Sequence, residues 1–237
     1  MKKLFEKDEI WFAVLWIIIY VIGFGTADSV SESIGIPKLI TCAVGLIMTV
    51  IICTFIRKEH LTEYYGLCKL KGSLKSYIYF IPLIIISSVN LWNGVEIKNS
   101  STEITLFVIS MCFVAFLEEV IFRGFLFKGM CKDNATVAII VSSVTFGVGH
   151  IVNLLMGAPV FDTMLQLVYA SAIGFCYTAI FYVSGSILPC IISHAAVNSL
   201  SIFAVTPSDT GNLIIAIVQT ILGISYGMWI LHRKDAK

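Results

Sequence analysis

Charge is the scarcest resource in this 237-residue chain, at 13% of residues, and it nearly balances to a net +1. No basic face or cluster rises above the apolar background, which removes the electrostatic footprint that nucleic-acid binding needs. The seven cysteines include no CxxC pair, and all fall in apolar runs or in loops on the expected cytoplasmic side, so a disulfide framework is not expected. They read as small buried apolar residues. Internal repeats, low-complexity tracts and any polar stretch large enough to fold alone are also missing. Whatever chemistry the protein performs must therefore lie in or beside a bilayer.

What is present is hydrophobicity: 58% of residues are apolar and the mean hydropathy is +0.93, far from the balance of soluble domains. Apolar runs at about 10–24, 37–56, 77–92, 103–122, 137–156, 163–183, 187–205 and 212–231 predict roughly eight spanning helices, since a span needs about 20 residues. The fold class is all-α, a polytopic membrane protein with about eight transmembrane helices around an intramembrane cavity. The whole chain, 1–237, reads as a single transmembrane domain, with N-terminal helices over 1–102 and a catalytic core over 103–205.

Orientation follows from the loops. With both termini in the cytoplasm, every basic residue except Lys38 and Lys98 falls on the inner side, while Asp28, Glu32, Glu96, Asp162 and Asp209 fall outside. The apolar run that follows the lysine-bearing N-terminus fits either a signal peptide ending near Gly25-Thr26-Ala27 or a retained first helix. Retention explains more, because removal leaves seven helices and strands the basic C-terminal tail on the wrong side. The connection over 57–76, with Arg57, Lys58, Lys69, Lys71 and Lys75, is either an ordinary positive flank or an interfacial element on the anionic leaflet. His60 and His232 read as solvated loop and tail residues.

Against this background, charges inside the spans are the informative set. Each ionised side chain near a helix centre costs about 2.5–3.5 kcal/mol on the insertion scale, so Glu118, Glu119 and Arg123 require a protein-lined or wet setting. Glu119 and Arg123 share a helix face four residues apart, which permits an ion pair in a supporting role. Glu118 lies about 100° around that helix without a local partner, in the setting a general base working near neutrality needs. The next span holds Phe146 and His150 one turn apart, with Gly147 and Gly149 permitting close backbone approach. The seventh holds His194 and Asn198 at i, i+4, presenting two hydrogen-bonding groups to one point. A lone membrane histidine is usually a packing hydrogen bond; the weight comes from the conjunction of these groups in three spans.

Two chemistries use such a set. In one, Glu118 and His150 activate a water that attacks a peptide carbonyl, and His194 and Asn198 stabilise the oxyanion. In the other, Glu118, His150 and His194 ligate zinc. Asn198 favours the metal-free form, as does the absence of HExxH, so no cofactor is favoured and zinc is the alternative. A proton-coupled transporter also uses buried Glu, His and Asn, but no paired repeat supports it.

Glu118-Glu119-x-x-x-Arg123, Phe146-x-x-x-His150 and His194-x-x-x-Asn198, in this order, resemble the motifs of the CAAX protease and bacteriocin-processing (CPBP, or Abi) family of intramembrane proteases. The resemblance covers residues 118–198. It implies an eight-helix endopeptidase whose conical cavity opens toward the cytoplasm and laterally to lipid. By motif position, Glu118, His150, His194 and Asn198 are catalytic, and Glu119, Arg123 and Phe146 support them. Its substrate is a membrane-embedded, lipidated or precursor peptide, with no nucleic-acid partner; family members are also described as metalloproteases, and some as non-catalytic immunity proteins.

One depth mismatch carries an expectation of its own. In straight spans ending near residue 122 and starting near 136, Glu118 lies about 8 Å and His150 about 21 Å from the inner boundary, too far apart to meet. Either residues 124–142 include a tilted or non-spanning helix, or the fourth helix continues past Arg123.

Overall fold

The computed structural model describes residues 1–68 and 80–235, with side chains to Arg233. The start of the third expected span, and Lys69, Lys71, Lys75 and Lys237, lie outside the described residues. Ten α-helices run through the described chain: α1 (Lys2–Lys7), α2 (Glu9–Ser33), α3 (Leu39–Lys58), α4 (Ile81–Ser87), α5 (Ser101–Glu119), α6 (Lys128–Cys131), α7 (Ala135–Gly149), α8 (Val160–Ser184), α9 (Leu188–Leu200) and α10 (Asp209–Asp235). A π-helical segment, Val120–Phe127, joins α5 to α6 without a break. Short 3-10 turns extend α7 over His150–Leu154 and α9 over Ser201–Phe203. Among the described residues, six helical stretches are long and apolar enough to cross a membrane, and Leu188–Phe203 is a shorter apolar helix.

Local chemistry explains the boundaries. Asp8 caps α2 by accepting from the Ile10 and Trp11 amides, Ser100 and Glu103 form a reciprocal capping box at α5, and Asn134 caps α7. The first helix reaches Ser33 rather than stopping near residue 24. Ser29, Ser31 and Ser33 return their hydroxyls to the carbonyls of Gly25, Ala27 and Val30, so these polar residues continue the helix.

The fourth helix is likewise longer than its apolar run, continuing from Ser101 through Cys131. Of the two arrangements expected to bring Glu118 and His150 to one depth, this is the one found. Glu118 now lies about 20 Å from the α6 end, and His150 about 22 Å from the start of α7. The extra residues of the π segment leave a carbonyl outside the regular ladder, and the Ser142 hydroxyl of α7 donates to Phe122 O at 2.8 Å.

α8 packs along both α7 and α10, while α5 packs against α3 and α9. Gly147 sets the α7–α8 distance: a Cβ there would sit 1.9 Å from Ser171 Oγ and 2.7 Å from Leu167 O. Gly147 therefore admits a neighbouring helix, as one of the two expected uses of these glycines. Gly147→Ala is expected to destabilise the protein by about 1–3 kcal/mol through overpacking, read as a lowered midpoint of thermal unfolding in detergent. An unchanged midpoint would show that α7 and α8 separate freely.

One end of the bundle, where α1, the start of α2 and α6 meet, is filled with aromatic rings. Phe12 and Phe125 meet edge to face at 5.0 Å, and Tyr65 packs on Phe125 at 5.1 Å while only 1% exposed. Ile187 N donates to Gly66 O, fastening the described part of the 57–76 connection to the start of α9. Tyr65 and Gly66 of this part are buried, while Arg57 and Lys58 are exposed. All seven cysteines are free, and His60 and His232 are exposed.

Candidate active site

The helices converge on the mid-bundle charges. Glu119 and Arg123 are both fully buried, and Arg123 Nη1 lies 3.1 Å from Glu119 Oε1. None of the three guanidinium nitrogens has an aligned hydrogen bond, so this contact is an ion pair held by charge rather than by a donor fork. The guanidinium carbon also stacks 4.1 Å above the Phe146 ring and 5.7 Å from that of Tyr177. A close approach of α8 makes this possible: at Gly174 a Cβ would stand 3.1 Å from Arg123 Nη2 and 3.0 Å from Phe146 Cδ1.

His194 joins the two carboxylates. Its Nδ1 is 2.9 Å from Glu119 Oε1 and its Nε2 is 3.5 Å from Glu118 Oε2. The first contact is a hydrogen bond, whereas the second is a longer approach that leaves Glu118 Oε2 without a hydrogen-bond partner among the described residues. Glu118, without a local partner on its own helix, takes one from another helix. The Tyr20 hydroxyl of α2 donates to Glu118 Oε1 at 2.6 Å, a hydrogen bond spanning 98 residues of sequence. Glu118 thus stands between a phenol on one side and an imidazole on the other.

Two cavities meet at this cluster. One, of about 240 Å³, is lined by His150, His194, Asn198, Gln166, Tyr177 and Asn90 among others. The second, of about 290 Å³, is lined by Glu118, Tyr20, Phe122, Gly149 and Asn153. Phe146 and His150 belong to both and form the wall between them. Phe146 touches Phe122, His150 and His194 edge to face, with ring centroids 5.4, 5.5 and 5.7 Å away. The structure therefore gathers Glu118, Glu119, Arg123, Phe146, His150, His194 and Asn198 at one place. His194 touches both carboxylates directly, while His150 and Asn198 line the adjoining space.

Reading the sequence missed the groups that hold these residues. Gln166 of α8 places Nε2 3.3 Å from His150 Nδ1 and accepts from Asn153 Nδ2 at 2.8 Å. Ser193 bonds the Tyr177 and Ser87 hydroxyls at 2.9 Å each, and Asn90 Nδ2 donates to Val197 O at 2.7 Å, fixing α9. Tyr20 and Gln166 were visible only as single polar groups inside apolar runs.

Among the described residues, no group of three or more His, Cys, Asp or Glu side chains is arranged to hold a metal ion. His150 Nδ1 faces the Gln166 amide and His194 Nδ1 lies against Glu119 Oε1.

Residues 100–200 match the protein-family model described as Rce1-like, Type II CAAX prenyl endopeptidase Rce1-like. The matched segment contains all seven motif residues and agrees with the CPBP resemblance. Together with six apolar helices of spanning length, it supports an integral membrane protein and, in general terms, an intramembrane protease of the CAAX type. No protein among the curated ones matches the chain.

Proposed function

We propose that the chain, whose residues 100–200 carry the CAAX-endopeptidase-like segment, is an intramembrane endopeptidase that hydrolyses a peptide bond in a membrane-associated peptide without a metal ion. The observation that carries this reading is Glu118 lying between Tyr20 and His194 at the edge of a cavity. Glu118 takes a proton from a water as the water's oxygen attacks the scissile carbonyl, and passes that proton to the leaving amine when the C–N bond breaks. His150, lining the cavities on both sides of this point, orients the water. The Asn198 amide N–H donates to the tetrahedral oxyanion, with His194 beside it on the same helix face. Glu119 and Arg123 hold His194 in place and stay out of the proton transfer.

The test is cleavage of a fluorogenic lipopeptide by the purified protein in liposomes. Asn198→Ala is expected to lower kcat by about 100-fold or more, the usual cost of losing one oxyanion donor. Activity that a chelator abolishes and zinc restores would overturn the metal-free reading.

The functional unit is a single transmembrane domain that extends beyond the 103–205 core, because Tyr20 belongs to α2. Tyr20→Phe keeps the ring and removes the donor to a charged partner, worth about 1.5–3 kcal/mol. The expected result is a drop in kcat/KM of about tenfold or more, with little change in the unfolding midpoint. Equal activity would remove Tyr20 from the site.

A further inference from the structure

We infer that the side-chain amides of Asn153 and Gln166, acting in series, hold His150 as the tautomer whose single N–H is on Nε2, and thereby leave Glu118 as the one base for the attacking water. The inference rests on the endopeptidase reading and deepens it: Gln166 and Asn153 become positioning residues, and His150 a donor to the water.

The end of α7 builds the arrangement. There the helix tightens into the 3-10 turn His150–Leu154, a geometry in which side chains three residues apart eclipse. Asn153 therefore stands on the same side as His150. α8 packs along this turn and brings Gln166 up to both residues. The main-chain carbonyl of Asn153 accepts the Met156 and Ala158 amides at 3.1 and 3.0 Å, which anchors the residue where the chain turns toward α8.

The hydrogen bonds run in one direction. Asn153 Nδ2 donates to Gln166 Oε1 at 2.8 Å; with that oxygen engaged, the atom that Gln166 turns to His150 Nδ1, at 3.3 Å, is Nε2. An amide nitrogen only donates, so Nδ1 accepts, and a neutral imidazole whose Nδ1 accepts carries its proton on Nε2. His150 Nε2 has no hydrogen-bond partner among the described residues, and the ring lines both cavities.

This decides which group can act as the base. An imidazole N–H donates to the oxygen of a water but has no lone pair with which to take the water's proton. Glu118, on the wall of the cavity that His150 shares, is the acceptor that is left. The water gives one proton to Glu118 as its oxygen bonds to the carbonyl carbon and the C=O pair moves onto the oxyanion, while the Nε2 proton stays on His150. With the opposite tautomer, Nε2 would face the same water as a second base.

Nitrogen NMR of protein carrying isotope-labelled histidine, in liposomes without substrate and at mildly alkaline pH, reads which ring nitrogen is protonated. The His150 signals are those that vanish in His150→Gln. The wild type is expected to show Nε2 protonated and Nδ1 unprotonated; a proton on Nδ1 would overturn the inference. Gln166→Leu keeps the bulk and removes the amide, so both tautomers are expected to appear, with kcat lower by about tenfold or more and KM within about twofold of wild type. A pure Nε2–H form in that variant would overturn the relay. So would a change in KM with kcat unchanged, which would make Gln166 a contact of the substrate itself. Asn153→Asp offers acceptors only, and Gln166 is then expected to turn Nε2 to it and Oε1 to His150, drawing a proton onto Nδ1. Nδ1 left unprotonated would overturn the relay, as would an equal effect of Asn153→Asp on the Gln166→Leu background. The spectra need no cleavage: a protein that shows the Nε2–H form and cleaves no lipopeptide refutes the endopeptidase reading, and with it the role of Glu118, while the amide relay stands.

Discussion

Glu118→Gln is expected to lower kcat by about 10²–10⁴-fold, the range supplied by a positioned general base, while leaving KM and the unfolding midpoint nearly unchanged. Glutamine has the shape of glutamate, and its amide oxygen can still accept the Tyr20 hydroxyl that lies 2.6 Å from Glu118 Oε1. It can also face His194 across the 3.5 Å contact. What it lacks is the ability to take a proton from water. Steady-state cleavage of the fluorogenic lipopeptide separates kcat from KM, and thermal unfolding in detergent checks the fold. Activity within tenfold of wild type would remove Glu118 as the base and leave the two histidines to be tried in that role.

The second large effect concerns stability. Arg123→Met keeps much of the side-chain volume but strands Glu119, a fully buried carboxylate, without its cation. Breaking a buried pair from one side costs about 3–5 kcal/mol. Glu119→Gln is expected to cost less, because Arg123 keeps its positions over Phe146 and near Tyr177. The double variant is then more stable than the sum of the two single effects allows. Unfolding free energies around this double-mutant cycle measure the coupling, and single effects that add to within about 0.5 kcal/mol would show that the pair does not act as a unit. Glu119→Gln also changes the partner of His194 Nδ1 at 2.9 Å, so its effect on kcat reports whether that carboxylate positions the imidazole.

These expectations depend on pairs with very different separations in the chain. The Glu119–Arg123 pair was legible from sequence because four residues along a helix bring two side chains to one face, and the π segment that follows does not separate them. The placement of His194 against Glu119, 75 residues away, was not legible, since nothing local encodes which faces of α5 and α9 meet. Tyr20 was hidden for the same reason. A phenol in an apolar run looks like any buried aromatic until another helix supplies its acceptor.

The amino-acid sequence by itself determined the membrane setting, the all-helical class, the distribution of charge between the two ends and the identity of the motif residues. These follow from hydropathy, from the helical period and from the cost of charge in lipid, all of which act locally along the chain. The tertiary structure alone decided that the helix continues from α5 through the π segment and α6 to Cys131 and so brings Glu118 to the depth of His150. It also decided that His194 stands against both carboxylates and that Phe12, Tyr65 and Phe125 pack together at one end of the bundle. Each of these depends on which helix faces pack together, and packing is a property of pairs of surfaces that no single stretch of sequence specifies.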